Sequence, residues 1–245
     1  VTIRFATMGE GKPFVLLHGF TDSAESWREF GYAGPLARAG HRLILIDQRG
    51  HGGTSRPHNS AAYTPEARAG DIAAVLDALS IEHADLLGYS MGGWTALNLA
   101  RFHPRRIDRL IVGGCHPFGQ SMAFYREALT KGIETWVGII EAFGGAMSEA
   151  FKARVRGNDL LALRAAVAAD RPDISASLEG FARPCLFYAG SADPLRADVA
   201  RTADFLPRAR FSEVPGCNHM TALLRADLVM PELLAFLAEV NADSG

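Results

Sequence analysis

Short apolar runs alternate with longer stretches of helical periodicity along most of this chain, and that rhythm limits its fold more than any other feature. The runs fall at residues 2–6, 14–17, 43–46, 84–87, 110–112, 185–188 and 211–214, several of them bounded by Gly or Pro as buried parallel strands tend to be. Helical patterns lie between and after them at 24–38, 65–79, 91–102, 195–205 and 228–240. Strand, helix and strand in steady succession predict an α/β fold, a mostly parallel central sheet with helices on both faces. No repeat of 20–50 residues and no low-complexity linker interrupts it. With 245 residues, 48% of them hydrophobic, the chain is long and apolar enough for one continuous core.

The rhythm breaks once. From Pro117 to Gly180 only helix-like pieces occur, at 122–131, 134–143, 147–155 and 160–169, separated by Gly144-Gly145, Gly157 and Pro172. An ordinary helical layer is one reading. The length of the stretch between two expected strands favours the other, a helical cap at 117–180 inserted into a core made of 1–116 and 181–245. Such a cap sits over the carboxyl ends of the strands, where open α/β sheets bind ligands.

Charge and cysteine usage narrow the function. Lys and Arg total 25 against 27 Asp and Glu, with no long block of either sign, so nucleic acid and charged membrane surfaces are not expected partners. Cys115, Cys185 and Cys217 show no CxxC spacing, which points to neither disulfides nor a zinc–thiolate site. No basic start followed by an apolar stretch and no run of about 18 apolar residues is found. The expectation is a soluble, cytoplasmic protein, monomer or homodimer.

Gly88-Tyr89-Ser90-Met91-Gly92 reads GxSxG. The string alone is weak, but it follows the apolar run 84–87 and opens the helical pattern 91–102, the strand–turn–helix setting of a nucleophile elbow. Gly88, Gly92 and Gly93 leave room where strand and helix pass close, and the start of the helix offers N–H groups to a developing anion. The alternative is a Gly-rich turn with a capping serine. A serine nucleophile needs a base, and only His103, His116 and His219 follow Ser90, the order the elbow fold uses. His103 ends a helix beside Pro104. His219, in a loop just after the last expected strand, is the favoured base, and His116 a candidate pocket residue. Asp193 follows the run 185–188 directly and combines the right edge with the right order for the acid; its other reading is a helix N-cap. Oxyanion donors are expected from the N–H of Met91 and, in the His18-Gly19-Phe20-Thr21 loop, of Phe20.

Together, His18-Gly19-Phe20, Asp47-Gln48-Arg49-Gly50-His51-Gly52, the GxSxG stretch with Gly93, Gly190-Ser191-Ala192-Asp193-Pro194 and Gly216-Cys217-Asn218-His219 resemble the α/β-hydrolase superfamily across almost the whole chain. Within it the chain looks like small bacterial serine esterases, enol-lactone hydrolases and cofactor-free haloperoxidase-type perhydrolases. The resemblance implies a bracing role for the turn 47–52 and places Trp27 near the acyl pocket. It also implies an antiparallel strand ahead of the run 2–6, for which too few residues precede that run, so the sheet is expected to be one strand short.

Two departures bear on chemistry. Ser90 stands where epoxide hydrolases and haloalkane dehalogenases carry Asp. Met220 follows His219 where carbon–carbon bond hydrolases tend to carry an aromatic. The expected activity is cleavage of a small, apolar carboxylic ester or lactone through an acyl-enzyme on Ser90, with no metal and no cofactor. A non-turnover receptor on the same fold, a carbon–carbon bond hydrolase and a perhydrolase are the alternatives. The insertion offers Phe118, Met122, Phe124, Tyr125, Trp136 and Phe143 as candidate pocket walls, beside Trp27, His116 and Met220.

Overall fold

A computed structural model describes residues 1–242. Its strands are β1 (Phe5–Met8), β2 (Lys12–Leu17), β3 (His41–Ile46), β4 (Ala84–Tyr89), β5 (Ile107–Gly113), β6 (Cys185–Gly190) and β7 (Ala209–Val214). They form one seven-stranded sheet in the order β1-β3-β2-β4-β5-β6-β7. β1 runs antiparallel to β3 and every other pairing is parallel. The strand expected at 2–6 therefore lies three residues further on and is itself the antiparallel edge; no strand precedes it among the described residues.

Helices α1 (Ser26–Glu29) and α2 (Ala33–Arg38) replace the single helix expected at 24–38. Gly31 separates them at a φ of 87°, a left-handed conformation that ends a helix. α3 (Pro65–Ala78) starts where Thr64 Oγ1 accepts the Ala67 N–H at 3.2 Å and Pro65 occupies the first turn. α4 (Met91–Phe102) follows β4 directly. The break in the alternation contains α5 (Ala123–Thr130), α6 (Ile133–Gly144), α7 (Glu149–Arg156) and α8 (Leu160–Ala166), and then α9 (Arg196–Phe205), α10 (His219–Leu224) and α11 (Ala226–Ala242) complete the chain.

Because successive side chains on a strand point to opposite faces, each apolar strand feeds two cores. Val15, Leu17, Ile44, Ile46 and Val112 pack under α3, α4 and α9, with Ile72, Leu76, Leu97 and Val199 from the helices. Phe14, Leu16, Leu43, Leu45 and Ile111 face the other way, onto Trp27, Leu36, Leu233 and Phe236. A third cluster, including Leu129, Trp136, Ile140, Phe151 and Leu163, belongs to the helical insertion, and Phe20 and Met220 from the rim of the sheet pack against it. No helix among the described residues is long and apolar enough to cross a membrane.

The turn after β3 is fixed by Asp47, whose side chain is wholly buried. Its Oδ1 accepts the Ala24 N–H at 2.8 Å and its Oδ2 accepts the Gly53 N–H and Arg4 Nη1, each at 2.8 Å. Burial by itself raises this carboxyl; the Gly53 and Ala24 N–H groups and Arg4 outweigh it and hold it below the ordinary 3.8. A depressed folded-state value contributes stability that is present above the unfolded value and lost as pH falls through the folded one. Asp47→Ala leaves two buried N–H donors without an acceptor and is expected to cost at least about 1–3 kcal/mol in urea unfolding. Asp47→Asn, with no carboxyl at this position, should lose less stability than the wild type on acidification from pH 5.

Candidate active site

Ser90 sits between β4 and α4 at φ 53° and ψ −107°, a strained conformation for a residue with a side chain. Close packing enforces it: a Cβ on Gly92 would overlap the Leu17 carbonyl, and one on Gly88 would overlap Gly92. The Ser90 N–H is anchored on the Gly113 carbonyl at 2.8 Å, and its own carbonyl accepts the Trp94 N–H at 3.0 Å.

His219 Nε2 lies 3.0 Å from Ser90 Oγ, and His219 Nδ1 lies 2.8 Å from Asp193 Oδ2. A carboxylate can only accept, so the ring proton sits on Nδ1 and Nε2 presents a lone pair to the hydroxyl. α9 begins at Arg196 with Leu195 as its N-cap and no side-chain cap, so the N-cap reading fails for Asp193. Its Oδ1 accepts the Leu195 N–H at 2.9 Å just before α9, while Oδ2 faces the imidazole.

His219 is not in a loop, as the sequence suggested, but opens the short helix α10. Asn218 Oδ1 accepts the Met220 and Thr221 N–H groups at 2.9 Å, and Thr221 Oγ1 accepts the Asn218 N–H at 2.8 Å. This reciprocal Asn-x-x-Thr cap was read as a loop in the sequence. Tyr89 was not: its hydroxyl donates to the His219 carbonyl at 2.5 Å and its ring lies 5.5 Å from the imidazole.

The Phe20 N–H has no acceptor among the described residues, and Met91, first in α4, has none within its helix. The loop that carries Phe20 is braced from below. Gln48 Nε2 donates to the His18 carbonyl at 2.5 Å, the Gln48 N–H donates to His18 Nε2 at 3.0 Å, and Thr95 Oγ1 donates to Gln48 Oε1 at 2.7 Å. His18 Nε2 must therefore be unprotonated, and Nδ1–H donates to the Gly19 carbonyl at 2.7 Å. Burial pushes His18 and, further, His51 below the usual imidazole range, so both are neutral at pH 7.

Phe20, Ser90 and Met91 open onto a cavity of about 470 Å³, and of the pocket residues expected from sequence Met122 and Tyr125 line it. Burial raises the Tyr125 phenol, and the Ser90 hydroxyl is among the neighbours that oppose the rise. The other candidates lie elsewhere. Trp27 is wholly buried in the opposite core, edge-on to Tyr32 at 5.2 Å. His116 stacks on Phe118 at 5.7 Å, and Phe118 borders a separate hollow with Arg201 and Phe205. Trp136 is inside the insertion's own core, its Nε1–H donating to Thr21 Oγ1 at 2.8 Å. Met220 packs against that same core. Phe143 and Phe124 are 55% and 53% exposed; Phe143 shares the side of α6 that buries Trp136 and Ile140 but lies in its last turn, two turns beyond Trp136, and is left uncovered there. An apolar residue in a helical insertion is as readily core or surface as wall, and without the helix rotations sequence could not separate the three. No group of His, Cys, Asp and Glu suited to a metal ion is found among the described residues.

A protein-family model described as alpha/beta hydrolase fold matches residues 12–154. The chain belongs to that family. An epoxide hydrolase from Caballeronia sordidicola is 36% identical over 129 residues, covering 51% of this chain and 38% of that protein. The chain thus spans less than half the length of the first curated relatives it matches. Among solved structures, an esterase from Exiguobacterium antarcticum superimposes with a TM-score of 0.85 at 21% identity, covering 96% of this chain and 95% of that one. The enol-lactonase from Burkholderia xenovorans LB400 gives a TM-score of 0.81 at 24% identity over 96% of each chain. At these identities the likeness is one of fold. Within the α/β-hydrolase family the chain resembles bacterial esterases, lactonases and non-heme haloperoxidase-type enzymes.

Gly114, at φ 56°, makes room for the imidazole: a Cβ there would meet His219 Cε1 at 2.8 Å and Nδ1 at 3.0 Å. Gly114→Ala is expected to cost about 1–3 kcal/mol of stability by overpacking. A crystal structure of the variant should show His219 Nε2 moved out of hydrogen-bond reach of Ser90 Oγ.

Proposed function

We propose that the protein is a serine hydrolase that cleaves a small carboxylic ester or lactone through an acyl-enzyme on Ser90. The observation that carries this reading is the unbroken chain from Asp193 Oδ2 through His219 to Ser90 Oγ, with contacts of 2.8 and 3.0 Å. A hydroxyl at its ordinary pKa is a weak nucleophile, and a neutral imidazole within hydrogen-bond reach is the group that activates it.

Ser90 Oγ attacks the ester carbonyl carbon as its proton passes to His219 Nε2. Asp193 keeps the ring in the tautomer this requires and stabilises the imidazolium that results. The carbonyl electrons move onto oxygen, where the Phe20 and Met91 N–H groups receive the charge. Collapse of the tetrahedral intermediate breaks the bond to the leaving oxygen, which takes the proton from Nε2. Water then attacks the acyl-enzyme, giving its proton to Nε2, and the second intermediate releases the acid while Ser90 Oγ recovers its proton. The insertion at 117–180 acts as the cap, since Met122, Tyr125 and the segment 165–172 close the cavity over Ser90.

The likeness to an epoxide hydrolase does not extend this chemistry to epoxides. The residue that would attack an epoxide carbon in the related enzymes is Asp, and here the elbow carries Ser90.

With p-nitrophenyl acetate and butyrate, the wild type should show a burst of p-nitrophenolate that Ser90→Ala lacks; equal, negligible rates for both proteins point instead to a receptor. Asp193→Asn should retain the fold by circular dichroism and lower kcat on the order of 10⁴-fold. Near-normal turnover in that variant would assign the acid role elsewhere.

A further inference from the structure

Apolar and cationic side chains together line the cavity above Ser90. Arg68, from α3, and Arg171, just beyond α8, both line it. Arg68 is only 6% exposed. Its Nε donates to the Tyr63 carbonyl at 3.3 Å and its Nη2 to the Ala166 carbonyl at 3.1 Å, while Nη1 is buried with no hydrogen-bond partner. Arg171 lies with its guanidinium 5.3 Å from the centre of the Trp94 ring, and its Nη1 donates to Gln120 Oε1 at 2.9 Å. Trp94 is one helical turn beyond Ser90 and also lines the cavity.

Neither arginine has a carboxylate in ion-pair contact among the described residues, although other arginines around them do. Arg49 is paired with Asp71 at 2.6 Å. Asp170, the one acidic residue that lines the cavity, is turned to Arg126 and to the Met122 N–H, each at 2.8 Å. Burial first, and then the charge of Arg171, pull the Arg68 guanidinium down to about 10. Burying a cation without a counter-charge is costly, and setting a second one beside it adds to the cost. An anionic ligand group removes both penalties.

We propose that Arg68 and Arg171 form a binding site for a free carboxylate on the substrate, so that the preferred ester or lactone is an anionic one. The assignment of an ester or lactone rests on the hydrolase reading above; the anion site itself does not. It departs from the apolar substrate expected from sequence: the apolar wall of Phe20, Met122 and Trp94 packs on the chain that joins the reacting carbonyl to the carboxylate. A guanidinium fork suits a carboxylate, which it can hold through two parallel hydrogen bonds.

The test separates the two readings. Adipate is titrated calorimetrically into Ser90→Ala, which cannot turn over, and into Ser90→Ala/Arg171→Gln. Binding to the first that weakens about tenfold or more in the second is expected for loss of one charge-assisted contact. No binding to the first, or equal binding to both, overturns the proposal. In parallel, kcat/KM is measured for mono-p-nitrophenyl adipate and for its neutral methyl ester. The wild type should favour the anionic ester, and the ratio should fall about tenfold in Arg171→Gln and in Arg68→Gln and recover in part in Arg68→Lys. A purely structural arginine would lower both substrates alike and leave the ratio unmoved, which overturns the proposal. Because Arg68 also ties Tyr63 to Ala166, its variants can fail to fold, and Arg171→Gln then decides alone. Adipate binding that depends on Arg171, with neither ester hydrolysed by the wild type, leaves the anion site standing and removes the hydrolase reading.

Discussion

The site depends on one backbone constraint, the left-handed turn at Ser90. It exists because β4 and α4 meet at an angle that leaves no volume for side chains at Gly88 and Gly92, which abut each other and the end of β2. A single residue out of the ordinary α or β regions costs about 1–3 kcal/mol, and here the surrounding contacts enforce it. The same turn sets Oγ above the sheet, places Met91 with a free N–H beside it, and starts a helix whose positive end faces developing negative charge. The proposed nucleophile and one proposed oxyanion donor are thereby consequences of one local geometry.

The other groups reach this point from separate parts of the chain, each held by its own hydrogen bonds. Asp193 divides its two oxygens between a backbone N–H and His219. His219 is held at its carbonyl by Tyr89 and along its helix by Asn218. The Phe20 loop rests on Gln48, and Gln48 rests on Thr95 of the same helix that Ser90 begins. Preorganisation of this kind lets donors act on a transition state without reorganising first. The neutrality of buried His18 and His51 also matters: their polar atoms shape the loop without adding a charge that would compete with the imidazolium at His219.

How far the residue order revealed this depended on the physics at each position. The strands were legible because buried parallel strands leave continuous apolar runs, and Ser90, Asp193 and His219 stood out because each follows one of those runs at the same edge of the sheet. α3 announced itself through Thr64-Pro65, a cap followed by a residue suited to the first turn. The split of α1 and α2 at Gly31, the helix at His219 and the pocket walls were not legible. They turn on a φ value, on a capping pair read as a loop, and on rotations of short helices that pack on one another. Trp27 shows the limit plainly, since its position near the Phe20 loop in sequence gives no sign that its ring turns into the core beneath the sheet. Arg68 was hidden for a similar reason: a charged residue in an amphipathic helix reads as solvent-facing, yet this one is buried.

Thr21 has a mechanical consequence for the helical roof. It follows Phe20 directly, with its φ at 62°, and is gripped from above by two insertion residues: Trp136 on its hydroxyl and Asn158 on its carbonyl, each at 2.8 Å. Arg154 adds a contact to the neighbouring Asp22 at 2.9 Å. An outward swing of the roof must therefore either break these bonds or drag the donor loop with it. Roof and loop are joined like a latch and its strike plate, and the two move together for as long as these bonds hold.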